Sequence, residues 1–322
     1  MNLEKGRVFT GGVITPCVLL LFFLTILIPG CGKVSPGGGS SSGSGFPFTL
    51  KDDLGRQVTL NQAPARIVSL VPAQTEILFA LGLGDQVVGV TEFCDYPAGA
   101  LTKPKVGGFA TPNAELVVAA QPDLILAGVI QKDFIRQFEE AGLKVIALES
   151  PDLPQTLEKI RLVGRLTGVA EVAENLVDEM QRRVNSVTAR VGGLTEAEKP
   201  TVFFEVWPEP LTTGGARSYL NSLIIAAGGR NIAGDVDKDW FTYSPEMVLA
   251  KNPQVIIFCH HGESTQTVEQ LKAREGWGDV AAIKEDRIGY IGDQNLVVRA
   301  GPRVVEGLEQ IARCLHPGLF AD

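Results

Sequence analysis

Residues 113–126, NAELVVAAQPDLIL, return 131 positions later as SPEMVLAKNPQVII at 244–257. Glu115, Val117, Ala119, Pro122 and Ile125 are matched by Glu246, Val248, Ala250, Pro253 and Ile256. Each copy reads as a short helix opened by an N-cap residue, Asn113 or Ser244, with a glutamate in its first turn, then a proline stop, then a buried apolar strand. A weaker match precedes it, ILFALG at 77–82 against LIIAAG at 223–228. A chain that carries one helix–strand unit twice is expected to fold into two similar lobes facing each other across a cleft. The two glutamates then occupy equivalent places, one on each lobe.

The segments around each copy follow one plan. After a polar hairpin around Asp52–Arg56, the first lobe reads as strand Arg66–Leu70, helix Gln74–Leu81, strand Val87–Val90, helix Ala114–Ala120, strand Leu124–Ala127, helix Asp133–Ala141 and strand Lys144–Leu148. The second reads as strand Thr201–Val206, helices Tyr219–Ala227 and Pro245–Ala250, strand Val255–Phe258, helix Thr267–Ala273, strand Arg287–Ile291 and a closing helix Pro302–Leu315. Strands alternating with helices imply mainly parallel sheets covered on both faces, an α/β fold. Between the lobes, apolar residues from Leu157 to Val187 recur at three- and four-residue spacing. That segment is expected to be a long rigid connecting helix, divided near Gly164 and Gly168; twenty helical residues span about 30 Å. The organisation is therefore a lobe over 46–153, a connecting helix over 154–198 and a lobe over 199–322.

Upstream, Lys5 and Arg7 precede the apolar run Val18–Ile28 and then Pro29, Gly30 and Cys31, the order of an export signal; the run is too short to span a bilayer. Residues 1–30 are read as that signal and 31–45 as a Gly/Ser tether. The tether contains Gly39-Ser40-Ser41-Ser42-Gly43, which matches a nucleophile-elbow pattern but has neither the strand nor the helix an elbow needs. The net charge is −8, or −9 without residues 1–30, which hold Glu4, Lys5 and Arg7. That balance argues against nucleic acid or anionic lipid as a partner. Besides Cys17 in the leader and Cys31 directly after it, the cysteines are Cys94, Cys259 and Cys314, with no C-x-x-C and no zinc framework. One disulfide among them and buried free thiols both stay open.

Ligands of parallel α/β sheets sit beyond the carboxyl ends of the strands. Phe93, Tyr96, Phe109, Trp207, Trp240, Tyr243, His260 with His261, and Asn295 to Arg299 all fall at such positions, each in an expected loop. Any one aromatic can simply pack beneath a loop, but their concentration suggests a large planar or greasy ligand. A neutral imidazole there can ligate a metal, yet side chains adjacent on an extended chain point opposite ways, so at most one of the two histidines faces the ligand. With no H-x-x-x-H and no acidic partner at ligand spacing, no resident metal is expected. Glu115 and Glu246 can each serve a helix dipole, and shared ancestry of the halves would keep both.

RIVSLVPAQTE at 66–76, the DYP turn at 95–97, NAE at 113–115 with QPDL at 121–124, and AGGRNI at 227–232 resemble the periplasmic binding proteins of the vitamin B12 and iron–siderophore ABC importers. WPEPL at 207–211 and RAGPR at 299–303 look most like the cobalamin branch, and Cys31 lies in what resembles a lipobox, with an unusual Pro29 two places before it. The resemblance runs from about Ala65 to the C-terminus. It implies a class III periplasmic binding protein-like fold and an extracytoplasmic lipoprotein, anchored through lipid on Cys31 at the periplasm or cell surface. Such a protein is a monomer that carries cobalamin to an ABC permease dimer with its ATPase, without catalysis and with cobalamin as cargo rather than cofactor. By the same resemblance, Glu115 and Glu246 dock on permease arginines, Phe93, Phe109 and Trp240 line the cleft, and Arg299 contacts the ligand. The chain departs from the pattern in the aromatics chosen at Phe93 and Phe109, in Asn295 where an acidic contact is expected, and in His260-His261 where a glycine pair stands; no equivalent of the relatives' disulfide is expected. Haem or a ferric siderophore is the alternative cargo. A surface metalloenzyme using the histidines with Asp293 or Glu263 is the alternative of another class, and it lacks a nucleophile with its base or a three-ligand set.

Overall fold

The computed structural model describes residues 45–259 and 267–321. Two four-stranded parallel sheets organise them. In the first, Ile67–Ser69 and Leu124–Ala127 are central and Val87–Val90 and Val145–Ala147 lie outside them; in the second, Thr201–Glu205 and Val255–Phe258 are central and Arg230–Asn231 and Ile288–Tyr290 lie outside. Taken in chain order within its lobe, each sheet runs second, first, third, fourth. The repeated unit occupies the same place in both: helix Ala114–Ala119 leads into the third strand of one sheet and helix Pro245–Lys251 into the third strand of the other.

These strands are apolar throughout because helices cover both faces. Leu124–Ala127 and Val255–Phe258 are buried at every residue. Alternate side chains go to opposite faces. Val68, Leu70, Ile125 and Ala127 join a core on one side of the first sheet with Val117 and Phe138, while Ile67, Leu124 and Leu126 face the other way. That other core continues through the connecting helices into the second lobe, where it takes in Phe204, Leu223 and Leu308. A separate core around Phe203, Tyr243, Val248 and Trp277 fills the far side of the second sheet.

The connecting segment is divided at Gly168, as the spacing suggests, and its two parts fold back on each other. It is a pair of helices, Leu153–Thr167 and Ala170–Val191, packed on each other. The first starts at Asp152, whose carboxylate accepts the Gln155 N–H at 2.8 Å, and ends at Gly168 with φ +79°, a left-handed conformation glycine adopts without a Cβ penalty. Gly164 does not break the helix; it lets the two helices approach, since a Cβ there would collide with the Cβ of Ala173. Arg161 ties the pair together through Glu174 at 2.9 Å. The first helix touches Pro72–Ala80 of one lobe and Tyr219–Ala226 of the other, and the second lies along Val304–Leu315, with Arg183 bidentate on Glu309.

Two further elements complete the fold. The hairpin Phe48–Lys51 with Gln57–Leu60 is antiparallel, and its turn is fastened to the first sheet by Asp52, which accepts the Ala147 N–H at 3.1 Å. In the second lobe Trp207–Pro208, Leu211–Gly214 and Trp240–Thr242 form a small antiparallel sheet where loops were expected. Its strands are too short, and too interrupted by Pro208, Pro210 and Gly214, for any alternation to show in sequence.

Candidate functional site

The carboxyl ends of both sheets open on one cleft, a cavity of about 560 Å³ between the lobes. On the first lobe, the segments that follow the strands form the wall: Val71–Gln74 after Ile67–Ser69, Phe93 after Val87–Val90, Gly128 and Ile130 after Leu124–Ala127, and Leu148–Ser150 after Val145–Ala147. Phe109 comes from the loop before the repeated helix. The second lobe contributes Tyr219, Trp240, Asn295 and the segment Val298–Ala300. Phe93 is 54% exposed, Ile130 50% and Trp240 40%, so a broad apolar surface is open to a ligand. Trp240 is held edge-on against Tyr219, ring centroids 6.0 Å apart.

Among the described residues two cations line this cleft, and carboxylates answer both. Lys159 holds Asp53 at 2.6 Å. Arg299 donates to Asp95 at 2.6 Å, to Glu76 at 3.2 Å and to the Phe93 carbonyl at 3.1 Å, all on the opposite lobe. Behind it Arg303 takes Glu76 at 2.9 Å through two nitrogens and Asp293 at 2.6 Å, with its guanidinium 3.7 Å above the Tyr96 ring. Glu76 is 3% exposed, so this lattice closes the base of the cleft with buried charge. Burial alone would raise the Asp95 carboxyl, but the hydrogen bond and charge of Arg299, helped by Arg303, hold it below the usual carboxylate range. The opposite applies at Glu149 on the wall, where desolvation inside the cleft mouth, together with the charges of Asp53 and Asp239, pushes the carboxyl up.

Among the described residues four buried side-chain polar atoms have no hydrogen-bond partner. Three of them, Gln74 Oε1, Tyr219 Oη and Asn295 Oδ1, belong to residues that line the cleft. A buried polar atom left so costs about 1–3 kcal/mol. Their concentration at one place marks it as built to receive polar groups.

Phe93, Phe109, Trp240, Asn295 and Arg299, all singled out in sequence, meet in this cleft. Three others are placed elsewhere. Tyr243 is 4% exposed and stacks on Phe203 at 5.7 Å in the second lobe's core, because the antiparallel sheet turns its side chain inward. Trp207 sits on that sheet outside the cleft, its Nε1 donating to the Glu209 carbonyl at 2.9 Å. Tyr96 carries the Arg303 guanidinium instead of lining the cavity. His260 and His261 lie outside the described residues, as do Cys31, the proposed leader and the tether. Cys94 and Cys259 are buried free thiols and Cys314 is a half-buried one. Among the described residues no cluster of three His, Cys, Asp or Glu could hold a metal ion.

Gln74, Ile130, Glu149, Lys159 and Tyr219 line the cleft without having been singled out as its residues. Applying the strand-end rule to every strand would have reached Gln74, Ile130 and Glu149. Lys159 and Tyr219 project from helices and carry no such signal.

On the outer surface the two repeated helices show one pattern. Each buries a single residue, Val117 or Val248. Glu115 and Glu246 are exposed, and beside them Leu116 (47%), Val118 (42%), Met247 (43%) and Leu249 (36%) face solvent. Asn113 caps the first helix by accepting the Leu116 N–H at 3.1 Å, whereas the Ser244 hydroxyl bonds the Glu246 carboxylate and leaves the second uncapped by a side chain.

Two like α/β lobes around an apolar cleft define a solute-binding protein. The chain belongs to the periplasmic binding protein family, whose model matches residues 67–295, and it is a substrate-binding protein of the vitamin B12/iron–siderophore ABC-importer type. It is 32% identical to an uncharacterized ABC transporter substrate-binding lipoprotein of Bacillus subtilis, over 94% of this chain and 97% of that one. It is 28% identical to the vitamin B12-binding protein of Salmonella typhimurium, over 80% of this chain and 92% of that one. The periplasmic heme-binding protein of Roseiflexus sp. RS-1, solved in apo form, superposes with a TM-score of 0.70 at 28% identity, covering 79% of this chain and 98% of that one. No helix of the described residues is long and apolar enough to cross a membrane.

Proposed function

We propose that this protein captures cobalamin or a related corrinoid between its lobes and delivers it to an ABC permease dimer, performing no chemistry of its own. The observation that carries this reading is the cleft's lining: a wide aromatic and aliphatic wall whose two cations, Lys159 and Arg299, are both already paired. A corrin is a broad macrocycle edged by neutral amides, so it can bury its face on Phe93, Phe109 and Trp240 without needing a free positive charge. Haem or an anionic ferric chelate brings carboxylates or catecholates, which among the described residues would meet no unpaired cation. The likeness to a heme-binding protein keeps haem as the second reading, in which His260 or His261 would be the ligand. Lipid on Cys31 would hold the protein at the membrane, as the word lipoprotein in the name of the Bacillus relative suggests. Delivery is assigned to the outer helices, where Glu115 and Glu246 stand ready for basic groups on a partner with two-fold symmetry.

Calorimetric titration of the purified protein with cyanocobalamin, hemin and a ferric hydroxamate tests the cargo. One-to-one binding of cyanocobalamin tighter than of the other two is expected. Tight hemin binding with silence from cyanocobalamin would reverse the assignment.

A further inference from the structure

The wall formed by the first lobe has a chemistry that the aromatic lining does not explain. Gln74 is 4% exposed, and its Nε2 is fixed by the carbonyls of Ala127 at 2.8 Å and Leu148 at 3.2 Å. The nitrogen is thereby assigned, and Oε1 remains the acceptor without a donor. Gly128 and Glu149, the residues that follow those two carbonyls, line the cleft. One Glu149 oxygen, Oε1, accepts the Val129 N–H at 3.0 Å, and the Glu149 main-chain N–H is tied to Asp53 at 2.7 Å. No lysine or arginine of the described residues forms an ion pair with Glu149, because Lys159, the cation on that wall, is taken by Asp53 at 2.6 Å. An acceptor amide, on the helix that follows the first strand, and a carboxylate without an ion pair thus line one wall, with Gln74 bonded to the carbonyl of the residue that precedes Glu149.

We propose that Gln74 and Glu149 form an acceptor pair that selects ligands whose edge carries amide or ammonium N–H groups and rejects ligands whose edge carries carboxylates or catecholates. The proposal rests on the cleft being the solute site, as argued above. A ligand N–H supplies Gln74 Oε1 with the donor it lacks and gives Glu149 a charge-assisted bond. An anionic edge would lie against Glu149, with the charges of Asp53 and Asp239 nearby, and would meet Lys159, the cation that the described residues offer on this wall, already bonded to Asp53.

The test measures affinities of the wild type, Glu149→Gln and Gln74→Leu for four probes. These are cyanocobalamin, its monocarboxylate in which one side-chain amide is hydrolysed, ferrioxamine B with its amide and ammonium edge, and hemin. The wild type is expected to prefer cyanocobalamin over the monocarboxylate by about tenfold or more, a preference Glu149→Gln removes and Gln74→Leu reduces by weakening the parent. Glu149 reaches solvent, so its variant remains usable even if Gln74→Leu fails to fold. Wild-type binding of cyanocobalamin with both affinities unmoved in Glu149→Gln would refute the acceptor pair and leave the corrinoid reading standing. Refusal of both corrinoids but capture of ferrioxamine B, weakened by Glu149→Gln, would refute the corrinoid reading and sustain the pair. Preferential binding of hemin, or of none of the four, refutes both.

Discussion

A buried arginine is tolerated only where its charge is answered and its donors are satisfied. Arg299 and Arg303 meet that demand across the lobe boundary, sharing Glu76, with Asp95 and Asp293 on the flanks. Arg299 faces the cleft, yet its described bonds hold the opposite lobe, so its first role is positional. Removing Arg303 leaves the buried Glu76 with Arg299 as its remaining partner, and leaves the half-exposed Asp293 without its ion pair. Arg303→Ala is expected to cost about 3 kcal/mol, read as a lower urea midpoint at an unchanged slope. Acid should attack related points. At Asp52 burial pushes the carboxyl up, but the N–H groups of Arg56 and Ala147 and the Arg56 guanidinium outweigh it, and the carboxyl lies below its ordinary value; Asp95 is lowered in the same sense. A depressed carboxyl contributes stability above its unfolded value of about 3.9 and loses it as pH falls through the folded value. Urea midpoints should therefore drop steeply below about pH 4, and Asp52→Asn should flatten that limb. A drop of the same slope in the variant would remove Asp52 from the account.

At the scale of single elements, short helices normally turn their apolar side to the core. Ala114–Ala119 and Pro245–Lys251 do so with one valine each and give the rest of their apolar residues to solvent, twice over. Such a surface suits a protein partner better than water. Its duplication fits a partner built from two like halves. Glu115→Arg combined with Glu246→Arg is expected to abolish uptake in cells while ligand affinity in vitro stays at the wild-type level. Leu116→Ser with Met247→Ser should weaken uptake in part and move stability by no more than about 0.5 kcal/mol. Loss of ligand affinity in the arginine pair would assign those helices to the cleft instead. The connecting helices make a different point about elements: the heptad-like spacing from Leu157 to Val187 was legible, and so was a break near Gly168. The fold-back was not. Spacing reports which face is buried and says nothing of whether the partner face lies in a lobe or in the next helix, and here Gly164 opposite Ala173 decides it.

Across the whole molecule, one continuous core passes from the first sheet through both connecting helices into the second lobe. Opening the cleft widely would tear that core, so ligand binding should change the shape little. Solution scattering with and without saturating ligand is expected to give radii of gyration that agree within about 1 Å. A change of several ångström would show that the shared core does not restrain the lobes.

By itself the sequence determined that there are two lobes, where most of their strands lie and where the paired glutamates stand. It could do so because apolar periodicity, caps, proline stops and a repeated segment are all local signals. Part of the cleft lining was equally accessible through the strand-end rule, as at Phe93, Phe109 and Trp240. Only the tertiary structure decided what those residues face. Glu76 and Arg299 meet across 223 positions, Tyr243 turns into a core that a small antiparallel sheet creates, and Gln74 is left with an acceptor and no donor because Ala127 and Leu148 have claimed its nitrogen. Partnership between distant side chains depends on how the lobes are set against each other, and that setting comes from the packing of the shared core rather than from any local pattern.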